Sequence, residues 1–287
     1  MCLTLEDLPS TDPAPLEWWA GRVEAGKLVR SWLPDVFERY ARILHPVYAR
    51  EETPEGMVHR LVTWRELERW SGKPFTPQTG IHDLAVRSDG SSWSERGALP
   101  HQGELDPKYL RRLVGHLATT DVAEDVWFLV WAGYGQMRPC VSGEPRPKRR
   151  ITRMFASARR EEVEVEVEVN PSFRGTGRTY FLFRGAIRAP AEEKEDDLIV
   201  TPVRPMRRPP SFWWPAHRRW FVSTDIDSYS TYVGGSATLI ERLLEDHVLE
   251  AVPVGPDEPY DPCESEGNRG GEGDPPAEQK PTGDKPG

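Results

Sequence analysis

The strongest fold signal in the chain is a continuous apolar run at residues 126–131, VWFLVW, which is followed by glycines at positions 133 and 135. Six residues is a common strand length, and apolar side chains at consecutive positions indicate a strand that is covered on both faces. The run therefore predicts a central strand, with other parts of the chain packed against each side of its sheet.

Shorter patterns predict the elements around this strand. Strands are predicted at 37–47, 163–169, 178–183, 219–226 and 249–254. For 37–47 a helix is the alternative, and the type of element at 16–23 stays open. Thr63 and Glu66 have the spacing of a capping box, and Asp106 followed by Pro107 is typical of a helix start. Ser236 is placed to cap a third helix. The order predicts an α+β fold, with a mixed, mostly antiparallel sheet packed against a few helices.

Composition divides the chain into one folded domain, 1–255, and a tail, 256–287. The tail contains seven prolines, and nine acidic residues against three basic ones. Such a stretch cannot bury enough apolar surface to offset the entropy that ordering would cost. We therefore predict a disordered acidic tail whose deletion leaves stability unchanged. Within the domain, charged segments near 138–162 and 189–210 predict loops.

Charge and cysteine usage argue against several classes of protein. The tail carries six of the nine net negative charges, so the domain is close to neutral, and a basic stretch at 146–153 is balanced by glutamates at 161–168. Nucleic-acid binding is therefore not expected. Cys2, Cys140 and Cys263 are too far apart for a disulfide framework or a metal-binding pair. No apolar run is long enough to span a membrane and no signal peptide is evident, so we expect no membrane association and a cytoplasmic location.

The densest group of polar residues and glycines lies at 224–236, between a predicted strand and a predicted helix. Its carboxylates, Asp225 and Asp227, are two residues apart, so in an extended chain they point the same way and can hold a divalent cation. They can instead accept hydrogen bonds from the surrounding loop. The other candidate binding residues in the group are Ser230, Thr231, Tyr232, Gly234, Gly235 and Ser236.

Two further patterns complete the candidate site. Gly234 and Gly235 precede a helix, whose first amides can bind an anion, although no lysine follows as in a phosphate-binding loop. A glycine turn with a serine cap is the alternative. Upstream, Trp213, Trp214 and His217 lie beside two arginines, and tryptophan and arginine are typical of binding hot spots. Core packing is the simpler role for most of the eleven tryptophans.

These patterns lead to two hypotheses. The first is a cytoplasmic, non-catalytic protein without a cofactor, which binds a protein partner or a small ligand through Trp213, Trp214, His217 and the loop 225–236. The second is a hydrolase or transferase for a phosphorylated substrate, with a metal on Asp225 and Asp227 and phosphate on the glycine amides. No metal-ligand spacing of histidines and no GxSxG motif occurs, which favours the first hypothesis.

The C-terminal half also resembles a family of uncharacterised bacterial, apparently actinobacterial, proteins. The resemblance rests on the segments WWP at 213–215, TDID at 224–227 and STYVGGS at 230–236, and covers about 178–254. It implies no activity, cofactor or partner.

Overall fold

The computed structural model of the protein describes residues 14–20, 28–54, 56–118, 124–134, 173–175, 178–187 and 210–260. The predicted strand at 163–169, the charged segment near 138–162, the segment 189–209 and the tail from 261 onward lie outside these ranges.

The fold is of the α+β class, as the sequence predicts. The strands are β1 Arg39–Leu44, β2 Val47–Thr53, β3 Gly56–Val62, β4 Gly97–Ala98, β5 Glu124–Trp131, β6 Phe173–Gly175, β7 Arg178–Ile187, β8 Phe212–Pro215, β9 Trp220–Ser223, β10 Ser230–Gly235 and β11 Ala251–Val254. The helices are α1 Glu17–Ala20, α2 Trp64–Ser71, α3 Ile81–Leu84, α4 Pro107–Leu117 and α5 Ala237–Leu244, with 3-10 turns at Ala14–Leu16, Val29–Ser31, Trp93–Glu95 and Ala132–Tyr134. Among the described helices, none has both the length and the apolar character that crossing a membrane requires.

Eight strands form the main sheet, in the order β11-β1-β10-β9-β8-β5-β7-β6. All pairs between the described strands are antiparallel, so the expected parallel component is not found there. The predicted strand at 126–131 becomes β5, which pairs with β7 on one side and with β8 on the other. Its residues Val126, Phe128, Leu129 and Val130 are buried, which confirms a strand covered on both faces.

Helices α4 and α5 cover one face of this sheet. Their leucines pack with alternate residues of β5, β7 and β9 in the largest apolar cluster. Asp246, just after α5, joins the two helices by accepting hydrogen bonds from Arg112 at 2.5 Å and His116 at 2.6 Å. Burial raises the pKa of Asp246, but hydrogen bonds from His116, from the Val248 and Leu249 amides and from Arg112 outweigh it and lower the pKa to about 2.

The second face of the sheet is covered by chain segments from both ends of the protein. Leu16, Val29 and Leu33 pack there, together with Tyr260. The Tyr260 ring stacks on Trp32 at 4.7 Å between ring centroids, and on Tyr232 at 4.3 Å. The packed part of the described chain therefore extends at least five residues past the predicted domain end at 255. The reason is that one aromatic residue supplies the apolar surface that the surrounding composition lacks.

A smaller sheet, β3-β2-β4, lies beside the main one. Its base packs on α2 and α3 around Trp64 and Leu67. The capping box that begins α2 is present, with the Glu66 amide donating to Thr63 Oγ1 at 3.2 Å and the Thr63 amide to Glu66 Oε2 at 3.0 Å. Gly97 lets β4 approach β2, because a Cβ on it would lie 1.8 Å from the Tyr48 carbonyl oxygen.

Candidate functional site

The prediction of a loop at 225–236 is wrong over half of its length. Residues 230–235 form β10, which is buried at every position and pairs with β1 and β9 inside the main sheet. Thus Ser230, Thr231 and Tyr232 belong to the interior of the protein. Small and polar residues are suited to this strand because its neighbours approach closely: a Cβ on Gly234 would lie 2.5 Å from Cδ2 of Phe37.

The anion site predicted at Gly234, Gly235 and Ser236 is also not formed. The two glycines are in β10, and Ser236 is the N-cap of α5, where its Oγ accepts from the Leu239 amide at 3.3 Å. The Ala237 amide donates to the Glu38 carboxylate at 2.7 Å. Acceptors from the protein itself therefore occupy the positions at which a phosphate was expected.

The predicted aromatic surface is divided between the two faces of the sheet. Trp213 and Trp214 are neighbours in β8, so their side chains point to opposite faces. Trp213 packs under the helices at 2% exposure and Trp214 packs in the other cluster at 1%. His217 is exposed in the turn that follows β8. These three residues form no common surface, and the tryptophans have the core role.

Asp225 and Asp227 do lie together, as expected, but they hold an arginine. The Arg178 guanidinium forms ion pairs with both carboxylates, and the Asp227 amide donates to Asp225 Oδ1 at 2.9 Å. Burial raises the pKa of Asp225, while the Asp227 amide and the Arg178 charge offset part of that rise. The positive charge that the metal hypothesis requires here is thus supplied by Arg178. In the described part of the chain, no group of three or more metal-ligating side chains is present.

Buried polar residues continue from Asp225 across this end of the main sheet. The Tyr260 hydroxyl accepts from the Asp225 amide at 3.1 Å and lies 3.1 Å from Ser223 Oγ. Further along, Thr231 Oγ1 bridges Thr224 Oγ1 and His45 Nε2, at 2.9 Å each. The buried polar side chains of the described residues belong to this network, apart from Ser71, Ser211 and Asp246.

The network stabilises the fold rather than exposing reactive groups. Burial and the positive charge of Arg42 lower the pKa of His45 to about 3, so its imidazole is neutral near pH 7. Arg42 itself donates to Ser230 Oγ at 2.9 Å and to the Pro77 carbonyl at 2.7 Å. Beside the threonines is a cavity of about 10 Å³, under α4. A space of that size is the minimum for one water molecule and is too small for a metabolite.

A hairpin formed by β2 and β3 is a further feature, and none of the sequence patterns above predicts it. We name residues 50–60 the arm. Residues 50–52 and 56–60 are exposed whichever face of the strands they occupy. Met57 at 60% and Val58 at 42% are two of the four large apolar side chains exposed in the described chain. The proline and glycine of the segment Thr53-Pro-Glu-Gly56 are typical of a turn and are the signal that would have predicted it.

Within the described part of the chain, the outer edge of the arm pairs with no other strand. β3 is the last strand of its sheet, and it pairs with β2 over seven consecutive residues without a bulge. The Arg50 amide donates to the Arg96 carbonyl at 2.9 Å, on the β4 side of β2. Its partner across the hairpin, His59, therefore directs both backbone groups away from β2.

By the same alternation, Met57 and Leu61 direct their backbone groups outward too. Arg60 Nη1 donates to the Leu61 carbonyl at 3.2 Å, consistent with an outward oxygen. The outer edge of β3 thus offers the amides and carbonyls of Met57 and His59 and the amide of Leu61. The Leu61 carbonyl accepts from Arg60 and has a second lone pair for a further donor.

No protein-family model, no curated protein and no solved structure matches this chain. The resemblance of residues 178–254 to uncharacterised bacterial proteins stays a prediction.

Proposed function

We propose that this is a non-catalytic protein of the cytoplasm that binds an extended segment of a protein along the outer edge of β3. The observation that carries the proposal is the arm, where outward backbone groups and two exposed apolar side chains occur together. Strand addition to a free edge is a general mode of peptide recognition, in which backbone hydrogen bonds give affinity and alternate side chains give specificity.

The side chains of the arm define the segment that fits. Met57, His59 and Leu61 are on one face of β3, and Val58 and Arg60 are on the other. An added strand that lies antiparallel to β3 places its own side chains beside these, on both faces. Apolar side chains next to Met57 and Val58 would be removed from water on binding. The expected partner therefore has apolar residues at the two adjacent positions opposite Met57 and Val58, and no proline in the paired stretch.

The other parts of the structure support binding of a small ligand or a phosphorylated substrate less well. The cavity under α4 is too small, and the carboxylates of the predicted metal site are paired with Arg178. In contrast, the arm has exposed apolar side chains on a regular, extended backbone. Exposed apolar groups on an unpaired edge favour aggregation, so a partner that covers the edge accounts for their presence.

Selection from a library of random peptides of about ten residues, the upper range of strand lengths, tests the proposal. Binding to the wild-type protein is compared with binding to His59→Pro and to the matched control His59→Ala. Proline removes an outward amide that the β2 ladder does not use, so the fold is retained, as near-ultraviolet circular dichroism would verify. We expect selected peptides to bind His59→Ala normally.

The same peptides should bind His59→Pro at least about tenfold more weakly, because at least one hydrogen bond is lost and the ring blocks approach. Selected peptides that bind both variants equally would show that binding does not use the edge. A library that yields no binding peptide would also contradict the proposal.

A further inference from the structure

We propose that the segment which adds to β3 is β3 of a second copy of this chain. The inference rests on the proposed function, since it names the partner of the same edge. In this arrangement, two β3 strands pair antiparallel about a two-fold axis at His59. The two small sheets then join into one continuous sheet of six strands.

The register follows from the backbone groups that point outward. Met57, His59 and Leu61 are spaced evenly, so a two-fold axis at His59 places Met57 opposite Leu61 of the second copy and His59 opposite its own equivalent. All three residues then form hydrogen-bonded pairs, which use the outward amides and carbonyls of both strands. If the register between the two β3 strands shifted by one residue, outward backbone groups of one strand would lie opposite inward groups of the other, and these hydrogen bonds would be lost.

The side chains are complementary in this register. Exposed Met57 lies beside half-buried Leu61 of the second copy, which is an apolar pair on each side of the axis. On the other face, exposed Val58 lies opposite Arg60 of the second copy and can contact its aliphatic stem. The two most exposed apolar side chains of the arm thus both acquire partners.

Charge does not oppose the pairing. The two Arg60 side chains come near each other diagonally, but each is already paired with Glu51 at 2.6 Å and Glu66 at 3.1 Å. The hydrogen bond with Glu51 is the main reason that the pKa of Arg60 is raised. β3 also lacks the lysines, prolines and bulges that commonly prevent contact between strand edges.

Disulfide trapping tests the register. In a background where Cys2, Cys140 and Cys263 are serine, Val58→Cys protein is mixed with Arg60→Cys protein under mild oxidation. The two positions form a non-hydrogen-bonded pair between copies, for which the Cα atoms are about 4.5 Å apart, within disulfide range. Each variant alone offers only diagonal pairs at about 7–8 Å, which are beyond easy reach.

We expect at least about fivefold more cross-linked dimer in the mixture than in either single variant, because only the mixture has cysteines in disulfide range. Sedimentation of the unmodified full chain provides a second measurement that needs no cysteine. Its weight-average mass should rise from one copy toward two with concentration, and His59→Pro should abolish that rise.

A chain that stays monomeric and gives no excess cross-link in the mixture would overturn self-pairing. If such a chain still bound selected peptides through the edge, only the identity of the partner would be wrong. Equal cross-linking of a single variant with itself would overturn the two-fold register. Failure of both peptide binding and self-association would reject the proposed function as well.

Discussion

Removal of residues 256–260 should severely destabilise the protein, although their composition predicts a dispensable tail. We compare a chain that ends at residue 255 with one that ends at 260. The shorter chain lacks Tyr260, which is 7% exposed and lies between Trp32 and Tyr232. It also loses the hydrogen bonds that the amides of Val29 and Arg30 donate, at 2.9 Å each, to carbonyls in the same segment.

The magnitude follows from these contacts. Loss of a buried aromatic side chain costs about 3–5 kcal/mol, and each lost hydrogen bond contributes about 1 kcal/mol. The free energy of unfolding should therefore fall by about 5 kcal/mol, which is comparable to the total stability of many domains, at about 5–15 kcal/mol. Tyr260→Phe retains the stacked ring and loses only the hydroxyl contacts to the Asp225 amide and Ser223, so it should cost about 1–2 kcal/mol.

Urea unfolding, followed by tryptophan fluorescence, provides the assay. The chain that ends at 260 should match the full chain within about 1 kcal/mol, while the chain that ends at 255 should have a much lower midpoint or be unfolded in water. Equal midpoints for the two truncated chains would refute the packing role assigned to Tyr260. If the chain that ends at 260 is already unfolded, residues beyond 260 are also needed for stability, and the assignment of the stabilising contacts to residues 256–260 is refuted.

Three further substitutions test local parts of the account by urea unfolding. Asp246→Asn should lower the free energy of unfolding by about 2 kcal/mol near pH 7. Because the folded-state pKa of Asp246, about 2, lies below the ordinary value, the difference from wild type should shrink as the pH falls from about 5 to 2. A difference that stays constant over this range would contradict the role of the carboxylate. Thr63→Ala removes the cap of α2 and should cost about 1 kcal/mol, whereas no loss would refute the capping box. Gly234→Ala places a Cβ 2.5 Å from Phe37 and should cost about 1–3 kcal/mol; a neutral result would argue against close packing of β10.

Elements with a strong local signal were predictable from the sequence. The buried strand β5 follows from its apolar run, and α2, α4 and α5 each begin at the cap that the sequence indicates. In each case one short segment contains the information. The order of the strands in the main sheet could not be predicted in the same way, because several neighbouring strands come from segments far apart in the chain.

Strand β10 was predicted as part of a loop because polar residues and glycines are common in surface loops, although they are not confined to them. The composition of β10 is typical of a loop, but its threonine and serine hydroxyls form hydrogen bonds with buried partners such as His45 and Arg42. Its glycine at 234 accommodates Phe37. The Asp225 and Asp227 pair was located correctly, while its cation, Arg178, is 47 residues earlier in the chain and had no sequence signal.

Residue-resolved amide hydrogen exchange tests most directly whether the outer edge of β3 binds a strand. In dilute protein, the Met57, His59 and Leu61 amides should exchange rapidly, while the Val58 and Arg60 amides, which bond to β2, should be protected. At high concentration or with a selected peptide, the three outward amides should become protected as well. Outward amides that are protected in dilute monomer, or that stay unprotected in a complex, would contradict strand binding at this edge.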